Sequence, residues 1–225
     1  MDRHDDDKRR AAEAAVAEVR DGMLVGLGTG STAIHAIHAI AAAGLRIEAV
    51  ATSAASDVLA RSLGIPVRGF AGVARVDLTI DGVDEIDGRF HAIKGAGGAM
   101  LREKIVAAAS DRMVVVADGS KRVAVIGAAA LPVEVLPFAA GFVADRLRSL
   151  FASVVPRDGG RYRTDNDGLV FDCRTAVEPD HAALAGSLSA IPGVLGHGLF
   201  LTEIDAAYIA SAGTVTRLER QPANG

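Results

Sequence analysis

Cysteine is nearly missing from this sequence of 225 residues, which contains only Cys173. A lone cysteine excludes an intramolecular disulfide and is typical of a protein from a reducing compartment. A basic block is also lacking, and the formal net charge is −4 at pH 7, so we expect no nucleic-acid partner. Half of the residues are hydrophobic, which is enough to bury a sizeable core.

Long apolar runs are missing as well. The charged segment 1–10 has no apolar stretch of the kind that secretory signals contain, and its Asp5-Asp6-Asp7 run is interpreted as a solvated tail. The most apolar stretch, residues 33–45, carries two histidines and is too short to span a bilayer. We therefore expect a cytoplasmic protein with no membrane partner.

Lysine is scarce relative to arginine. Of 24 basic residues, 20 are arginine and only four are lysine, namely Lys8, Lys94, Lys104 and Lys121. In a sequence with this bias, lysine is expected where a compact ammonium group is preferred over a guanidinium group. The alternative is that each lysine has survived by chance on the surface.

Strands and helices alternate along the first 127 residues. Apolar runs bounded by turn residues predict strands over 23–26, 47–51, 76–80 and 113–117, and helices over 8–20, 31–43, 53–63 and 99–110. This alternation implies an α/β fold in which helices cover both faces of a parallel sheet.

The pattern changes after about residue 127. It predicts an extended segment over 131–135, helices over 138–150 and 180–190, and strands over 151–155, 162–164, 169–172 and 194–201. This order resembles a small split βαβ domain. A closing hairpin over 206–218 would return to the first domain. We therefore expect one domain of residues 1–127 plus 202–225 and a second of residues 128–201.

The first candidate motif is the glycine-rich segment 26–32, GLGTGST, between a strand and a helix. Glycines allow a tight turn and a close approach to a ligand, and the start of the next helix offers free N–H groups to a phosphate. The segment is neither a Walker A loop nor a dinucleotide fingerprint. An ordinary tight turn is the alternative interpretation.

The second motif is DGVDEID, residues 81–87, which follows a predicted strand. Ligands bind at the carboxyl ends of strands in open α/β sheets. A solvated acidic turn and a Mg²⁺ or Ca²⁺ site are the alternatives, although the spacing does not match a calcium loop.

The third motif is KGAGGAMLREK, residues 94–104, a glycine-rich loop that leads into an apolar helix. A carboxylate near the head of a buried helix is partly desolvated, so Glu103 is a candidate base. A solvated Arg-Glu-Lys cluster is the alternative. A fourth motif, DGSK at 118–121, places the ammonium group of Lys121 at another strand end.

Together these segments resemble the type A ribose-5-phosphate isomerases. The four motifs occur in that family's order and approximate spacing, and PVEVLPF (132–138), TDNDG (164–168) and IPGV (191–194) are similar to its later segments. The resemblance covers essentially the whole chain. It implies a Rossmann-like catalytic domain with a smaller α+β ferredoxin-like lid, no metal and no cofactor, and a homodimer or homotetramer.

The resemblance also implies an activity and a set of site residues. The activity is the interconversion of D-ribose 5-phosphate and D-ribulose 5-phosphate in the non-oxidative pentose phosphate pathway. Glu103 would be the catalytic base, with Asp81, Asp84 and Lys94 as further catalytic residues. Ala96 stands where glycine is common in the family. The substrate-binding residues would be Lys8, Thr29, Gly30, Ser31, Thr32, Asp81, Gly82, Val83, Asp84, Lys94, Gly95, Ala96, Gly97 and Lys121.

The chemistry of an aldose–ketose isomerisation needs the same parts. Proton transfer between C2 and C1 requires a carboxylate base and stabilisation of an enediolate, and a phosphate anchor positions the reacting carbons. Two rival functions are an amino-sugar-phosphate deaminase, against which residues 94–104 argue, and the sugar-phosphate sensor of a transcription regulator. The sensor would need a DNA-binding domain, for which we expect no room before the first strand at about residue 23.

Overall fold

The computed structural model describes residues 3–221 of the chain. Within those residues it contains six α-helices: α1 (Arg3–Val16), α2 (Ser31–Ala42), α3 (Ala54–Ser62), α4 (Met100–Ala108), α5 (Ala140–Arg148) and α6 (His181–Ser189). The β-strands of the same residues are β1 (Leu24–Leu27), β2 (Glu48–Ala51), β3 (Leu78–Gly82), β4 (Glu85–Ile86), β5 (Ala92–Ile93), β6 (Met113–Asp118), β7 (Leu131–Val135), β8 (Ser153–Pro156), β9 (Leu169–Arg174), β10 (Val194–His197), β11 (Leu199–Phe200), β12 (Ala206–Ser211) and β13 (Thr214–Glu219).

The larger sheet has six strands in the order β13-β12-β6-β3-β1-β2. All neighbouring strands in it are parallel except the β12–β13 hairpin. The chain runs from β1 to β2 on one side and then crosses to β3 on the other side of β1. The strand order therefore reverses between β1 and β3, and such a switch point opens a crevice at the carboxyl ends of the strands.

A separate four-stranded antiparallel sheet has the order β10-β7-β9-β8. Helices α5 and α6 contribute their buried side chains to the same core as this sheet. The short strands β11, β5 and β4 form a third sheet, in that order. The predicted α/β class, with a parallel sheet and a smaller α+β part, is confirmed.

The main core forms where apolar helix faces cover the parallel sheet. Strand β6 is buried along its whole length, as its run of valines predicts for a strand covered on both faces. Helix α1 presents Ala11, Ala12 and Ala15, all fully buried, to this core. Their small side chains let the helix axis approach β6 and β12 closely.

Several local predictions were wrong. Helix α1 begins at Arg3 instead of residue 8, so the acidic run belongs to the helix and is no solvated tail. Asp7 is buried and accepts hydrogen bonds from the backbone N–H groups of Ala212 and Gly213, at 3.1 and 2.9 Å. Because these partners lie more than 200 residues away, the local charge pattern could not reveal them.

Two predicted strands also differ. Residues 162–164 form no strand, because the backbone of Thr164 is engaged in a local turn, with hydrogen bonds to Asp167 and Gly168 of 2.9 and 3.0 Å. The predicted strand 194–201 is interrupted at Gly198, whose backbone bonds to Pro132 and Lys94. Glycine is needed there, because a β-carbon would lie 2.1 Å from the carbonyl oxygen of Lys94.

No helix among residues 3–221 is both long enough and apolar enough to cross a membrane.

Candidate active site

A cavity of about 260 Å³ lies at the switch point between β1 and β3. Two larger cavities, of about 560 and 640 Å³, lie nearby, but neither is lined by Lys94 or Glu103. Of the predicted site residues, Asp81 alone does not line the smaller cavity, because it is fully buried behind Lys94. The lining residues are Lys8, Thr29, Gly30, Ser31, Thr32, Gly82, Val83, Asp84, Lys94, Gly95, Ala96, Gly97, Glu103 and Lys121.

The loop between β1 and α2 forms one wall. Glycine is required at position 28, where a β-carbon would lie 2.5 Å from the Cα of Asp81. Gly30 adopts a φ of 104° and caps α2 without a side-chain hydrogen bond. Lys8 of α1 donates a hydrogen bond of 3.1 Å to the hydroxyl of Ser31, the first residue of α2. An ammonium group, a hydroxyl group and an uncapped helix start therefore meet here, which suits an anion.

The opposite wall contains a buried cluster of one cation and two carboxylates. The Nζ of Lys94 lies 2.9 Å from Oδ2 of Asp81 and 3.3 Å from Oε2 of Glu103. All three side chains are at most 3% exposed. One N–H of the Lys94 ammonium group donates to the carbonyl of Gly82, and the group faces both carboxylates as ion pairs. Asp81 Oδ2 and Glu103 Oε2 have no other polar partner among the described residues.

This imbalance of charge shifts the pKa values of the cluster. Burial raises the pKa of Glu103 to about 8, and the nearby charge of Asp81 adds to the increase. Burial also raises the pKa of Asp81, against the opposing effect of Lys94. Burial alone would lower the pKa of Lys94, but Asp81 and Glu103 outweigh it and raise that pKa. Glu103 is thus poised to exchange a proton near neutral pH.

The backbone fixes the orientation of Asp81. The structure places this residue inside β3, whereas the sequence predicted a position just after the strand. Its Oδ1 accepts hydrogen bonds from the N–H groups of Thr29, at 3.0 Å, and Gly82, at 2.7 Å. The other oxygen is left facing Lys94. The tight turn after β1 therefore orients the carboxylate that pairs with Lys94.

The remaining acidic residues of the motif 81–87 have separate roles. Asp84 lines the cavity and accepts a hydrogen bond of 2.9 Å from the N–H of Ala96. Glu85 and Asp87 are buried and accept hydrogen bonds from backbone N–H groups elsewhere. The interpretation as a solvated acidic turn is therefore wrong. Among residues 3–221, no three His, Cys, Asp or Glu side chains are grouped as a metal site.

Three of the four lysines lie at the cavity, where a compact ammonium group was expected. Lys8, Lys94 and Lys121 line the cavity, whereas Lys104 lies outside it, over the ring of Phe200 and near Glu203. Two side chains next to the site were not singled out from the sequence. Arg157 and Tyr162 contact the loop 95–97 from more than 60 residues away, and no local pattern signals such a contact.

Removing the cation should destabilise the protein in a pH-dependent way. We expect Lys94→Met to cost about 3 kcal/mol of unfolding free energy at pH 8, because two buried carboxyl groups lose their counter-charge. The pKa of each carboxyl would then be higher in the folded than in the unfolded chain. The folded chain would bind more protons, so the loss should shrink as the pH falls. Urea unfolding between pH 5 and 8 measures it.

Lys104→Met is the matched control for this substitution. Lys104 also contacts the ring of Phe200, but it faces one carboxylate, Glu203, at 3.8 Å. We expect a smaller loss of stability with a weaker dependence on pH. A loss in Lys94→Met that stays constant with pH would contradict the proposed balance of charges.

Comparison with known proteins agrees with this geometry. Residues 48–214 match the family described as ribose 5-phosphate isomerase A (phosphoriboisomerase A). The ribose-5-phosphate isomerase A of Sphingopyxis alaskensis is 52% identical over 209 residues, which cover 91% of this chain and 92% of the relative. That protein is similar to this chain along nearly its whole length.

Solved structures are also similar to this chain over nearly its whole length. The ribose 5-phosphate isomerase A from Neisseria gonorrhoeae has a TM-score of 0.93 at 33% identity, covering 97% of this chain and 98% of its own. A D-ribose-5-phosphate isomerase in complex with phospho-erythronic acid has a TM-score of 0.90 at 30% identity, covering 96% and 99%. The chain therefore belongs to the ribose 5-phosphate isomerase A family.

Proposed function

We propose that this protein is an aldose–ketose isomerase that interconverts D-ribose 5-phosphate and D-ribulose 5-phosphate. One observation carries the proposal: a buried carboxylate with a raised pKa, Glu103, and an anion-binding loop line the same cavity of about 260 Å³. Family membership supports it. The relative bound to phospho-erythronic acid supports it further, since that ligand combines a phosphate with a sugar-acid carboxylate.

We assign the proton transfer to Glu103. Its carboxylate removes the proton from C2 of the open-chain aldose, the electron pair forms the C1–C2 double bond, and O1 takes up a proton. Loss of the O2 proton and donation of a proton from the Glu103 carboxylic acid to C1 complete the ketose. Glu103 lines the cavity, and its pKa near the working pH suits a group that must both accept and donate a proton.

The charge of the enediolate needs a partner, and Lys94 is placed to supply it. Its ammonium group is fixed between Asp81 and Glu103 and so needs little reorganisation during the reaction. Asp84 would exchange protons with the substrate hydroxyl groups and assist ring opening, and Asp81 would contribute through Lys94. Asp84 is the more accessible of the two, while Asp81 acts from behind the lysine.

The phosphate is assigned to the opposite wall of the cavity. Thr29, Gly30, Ser31 and Thr32 surround the start of α2, and Lys8 already donates to the Ser31 hydroxyl. Lys121 provides a second ammonium group at the rim. Holding the phosphate at one wall would place the sugar carbons between it and Glu103, so that binding energy is used to position C1 and C2.

The direct test is to add ribose 5-phosphate to purified protein and assay for ribulose 5-phosphate. We expect turnover of the phosphorylated sugar and very poor turnover of free ribose, because only the former can use the anion site. Lys121→Ala should weaken binding of ribose 5-phosphate and inhibition by inorganic phosphate. Equal turnover of ribose and its phosphate would count against the anchor.

We further propose that the reaction needs no metal and no other cofactor. The place between Asp81 and Glu103, where a cation would be expected, is taken by the Lys94 ammonium group. Glu85 and Asp87 of the acidic motif are engaged with backbone N–H groups. Activity should therefore survive exhaustive chelation. Complete loss with EDTA, restored by a divalent cation, would refute this proposal.

The organisation of the chain supports three further proposals. We assign residues 1–127 and 202–225 to the catalytic domain, because they supply the parallel sheet, and residues 128–201 to the lid. A cytoplasmic location would suit the single buried cysteine. The reaction itself belongs to the non-oxidative pentose phosphate pathway.

A homo-oligomer is proposed as the working form. Apolar side chains at the start of α5 are exposed, with Phe138 at 96%, Phe142 at 49% and Leu136 at 43%. Large apolar side chains that are exposed and close in sequence support a protein contact here, because water solvates them poorly. Sedimentation velocity should show a particle larger than the 23.1 kDa monomer. A compact monomer at assay concentrations would contradict it.

A further inference from the structure

Arg157 connects the antiparallel sheet to the glycine-rich loop of the site. It follows β8, and its Nε and Nη2 contact the two carboxylate oxygens of Asp172 in β9 at 3.0 and 2.5 Å. Its Nη1 donates to two successive carbonyls, those of Gly95 at 3.2 Å and Ala96 at 3.1 Å. The carboxylate thus fixes one edge of the guanidinium group, and the other edge fixes the loop.

Tyr162 extends this contact to a third carbonyl. Its hydroxyl group donates a hydrogen bond of 3.2 Å to the carbonyl of Gly97, and Arg157 lies over its ring at 5.3 Å from the centroid. Position 98 must be glycine for this approach, because a β-carbon there would lie 1.9 Å from the tyrosine oxygen. Three consecutive carbonyls of the loop are therefore held from the same side.

The orientation of the carbonyls determines that of the amide groups. In a trans peptide the C=O and the N–H point in opposite directions. With the Gly95 carbonyl on Arg157, the N–H of Ala96 points to Asp84 and donates to Oδ2 at 2.9 Å. With the Ala96 carbonyl on Arg157, the N–H of Gly97 is turned away from the arginine, toward the side on which Gly97 lines the cavity.

Within the loop, one backbone hydrogen bond of 2.9 Å joins the N–H of Gly98 to the carbonyl of Gly95, and the remaining restraint comes from outside. Ala96 and Gly97 are exposed, and they lie between glycines with φ values of 105° at Gly95 and 78° at Gly98. Glycine-rich backbone has many accessible conformations, and most of them would turn the amide groups out of the site. The helix α4 that carries Glu103 begins directly after this loop, at Met100.

We propose that Arg157, supported by Tyr162, is a positioning residue for the isomerisation. It holds the carbonyls of Gly95 and Ala96 so that the N–H of Ala96 is presented to Asp84 and the N–H of Gly97 to the substrate oxygens. Arg157 does not line the 260 Å³ cavity and touches no reacting atom; it borders the neighbouring cavity of about 640 Å³. The catalytic consequence rests on the proposed function, whereas the restraint of the loop does not.

The test compares Arg157→Ala with Arg161→Ala. Arg161 lies in the same segment and, among residues 3–221, its side chain pairs only with Asp158 at an exposed position, so it is a matched control. We expect Arg157→Ala to lower kcat by about 10- to 100-fold, since a misplacement of about 1 Å can cost about 100-fold. KM should change by less than about threefold, because the phosphate site is untouched. Arg161→Ala should behave as wild type.

Two further variants separate positioning from general stability. Arg157→Lys can reach either Asp172 or the carbonyls but lacks the planar fork needed for both, so its kcat should be intermediate. In Arg157→Ala, added guanidinium at millimolar concentration can enter through the open 640 Å³ cavity. It should restore part of kcat, while sodium chloride at equal ionic strength should not.

Hydrogen exchange measures how firmly the loop 95–97 is held, whether or not the protein is catalytically active. Peptides that cover residues 94–99 should exchange faster in Arg157→Ala than in wild type or Arg161→Ala. Unchanged exchange there, or faster exchange with unaltered kcat, would overturn the proposal. If Arg157→Ala does not fold, Arg157→Lys and Tyr162→Phe decide by the same two measurements. Wild-type protein that fails to isomerise ribose 5-phosphate would refute the proposed function, while the exchange result would still decide the role of Arg157.

Discussion

The ammonium group of Lys94 faces two carboxylates at a depth where all three side chains are almost fully buried. One positive charge cannot balance two negative charges in a medium of low dielectric constant, so one carboxyl group is pushed toward the protonated state. Burial raises the pKa of Glu103, and the negative charge of Asp81 adds to the increase. We propose that this environment makes Glu103 a base that works near neutral pH, so the substrate chemistry depends on burying two carboxylates around one cation.

Much of the surrounding structure can be understood as support for that cluster. Glycine at position 28 leaves room for Asp81, whose Oδ1 accepts hydrogen bonds from backbone N–H groups of Thr29 and Gly82. The ring of Phe200 lies 5.5 Å from the Lys94 ammonium group and closes its apolar side. The reversal of strand order between β1 and β3 opens the crevice into which the cluster faces. The antiparallel sheet contributes at a distance, because Arg157 reaches from it to the loop before α4.

The local sequence was sufficient to predict which segments line the cavity where one short segment both ends a strand and forms the cavity wall. Gly28 and Gly30, the carboxylates at 81 and 84, and Lys121 lie at or after the ends of β1, β3 and β6, and these parallel neighbours bring their carboxyl ends together at one edge. The loop 94–98 follows β5 of the antiparallel three-stranded sheet. Contacts between distant segments could not be foreseen in this way. Asp7, which lies in an acidic run, accepts hydrogen bonds from the backbone N–H groups of residues 212 and 213. Tyr162 lies in a predicted strand that does not form, and its hydroxyl group donates to the carbonyl of Gly97. Arg157 is one of 20 arginines, and nothing in its neighbours distinguishes it.

The central claim is that Glu103 carries a proton between C2 and C1 of the sugar. Wild-type protein that isomerises ribose 5-phosphate in deuterated water should place deuterium at C1 of the ketose, because a carboxylic acid exchanges its proton with solvent. Glu103→Gln keeps the shape of the side chain and should lower kcat by about 10² to 10⁴, the usual scale for loss of a general base. Complete retention of the original hydrogen, together with a nearly fully active Glu103→Gln variant, would contradict the account.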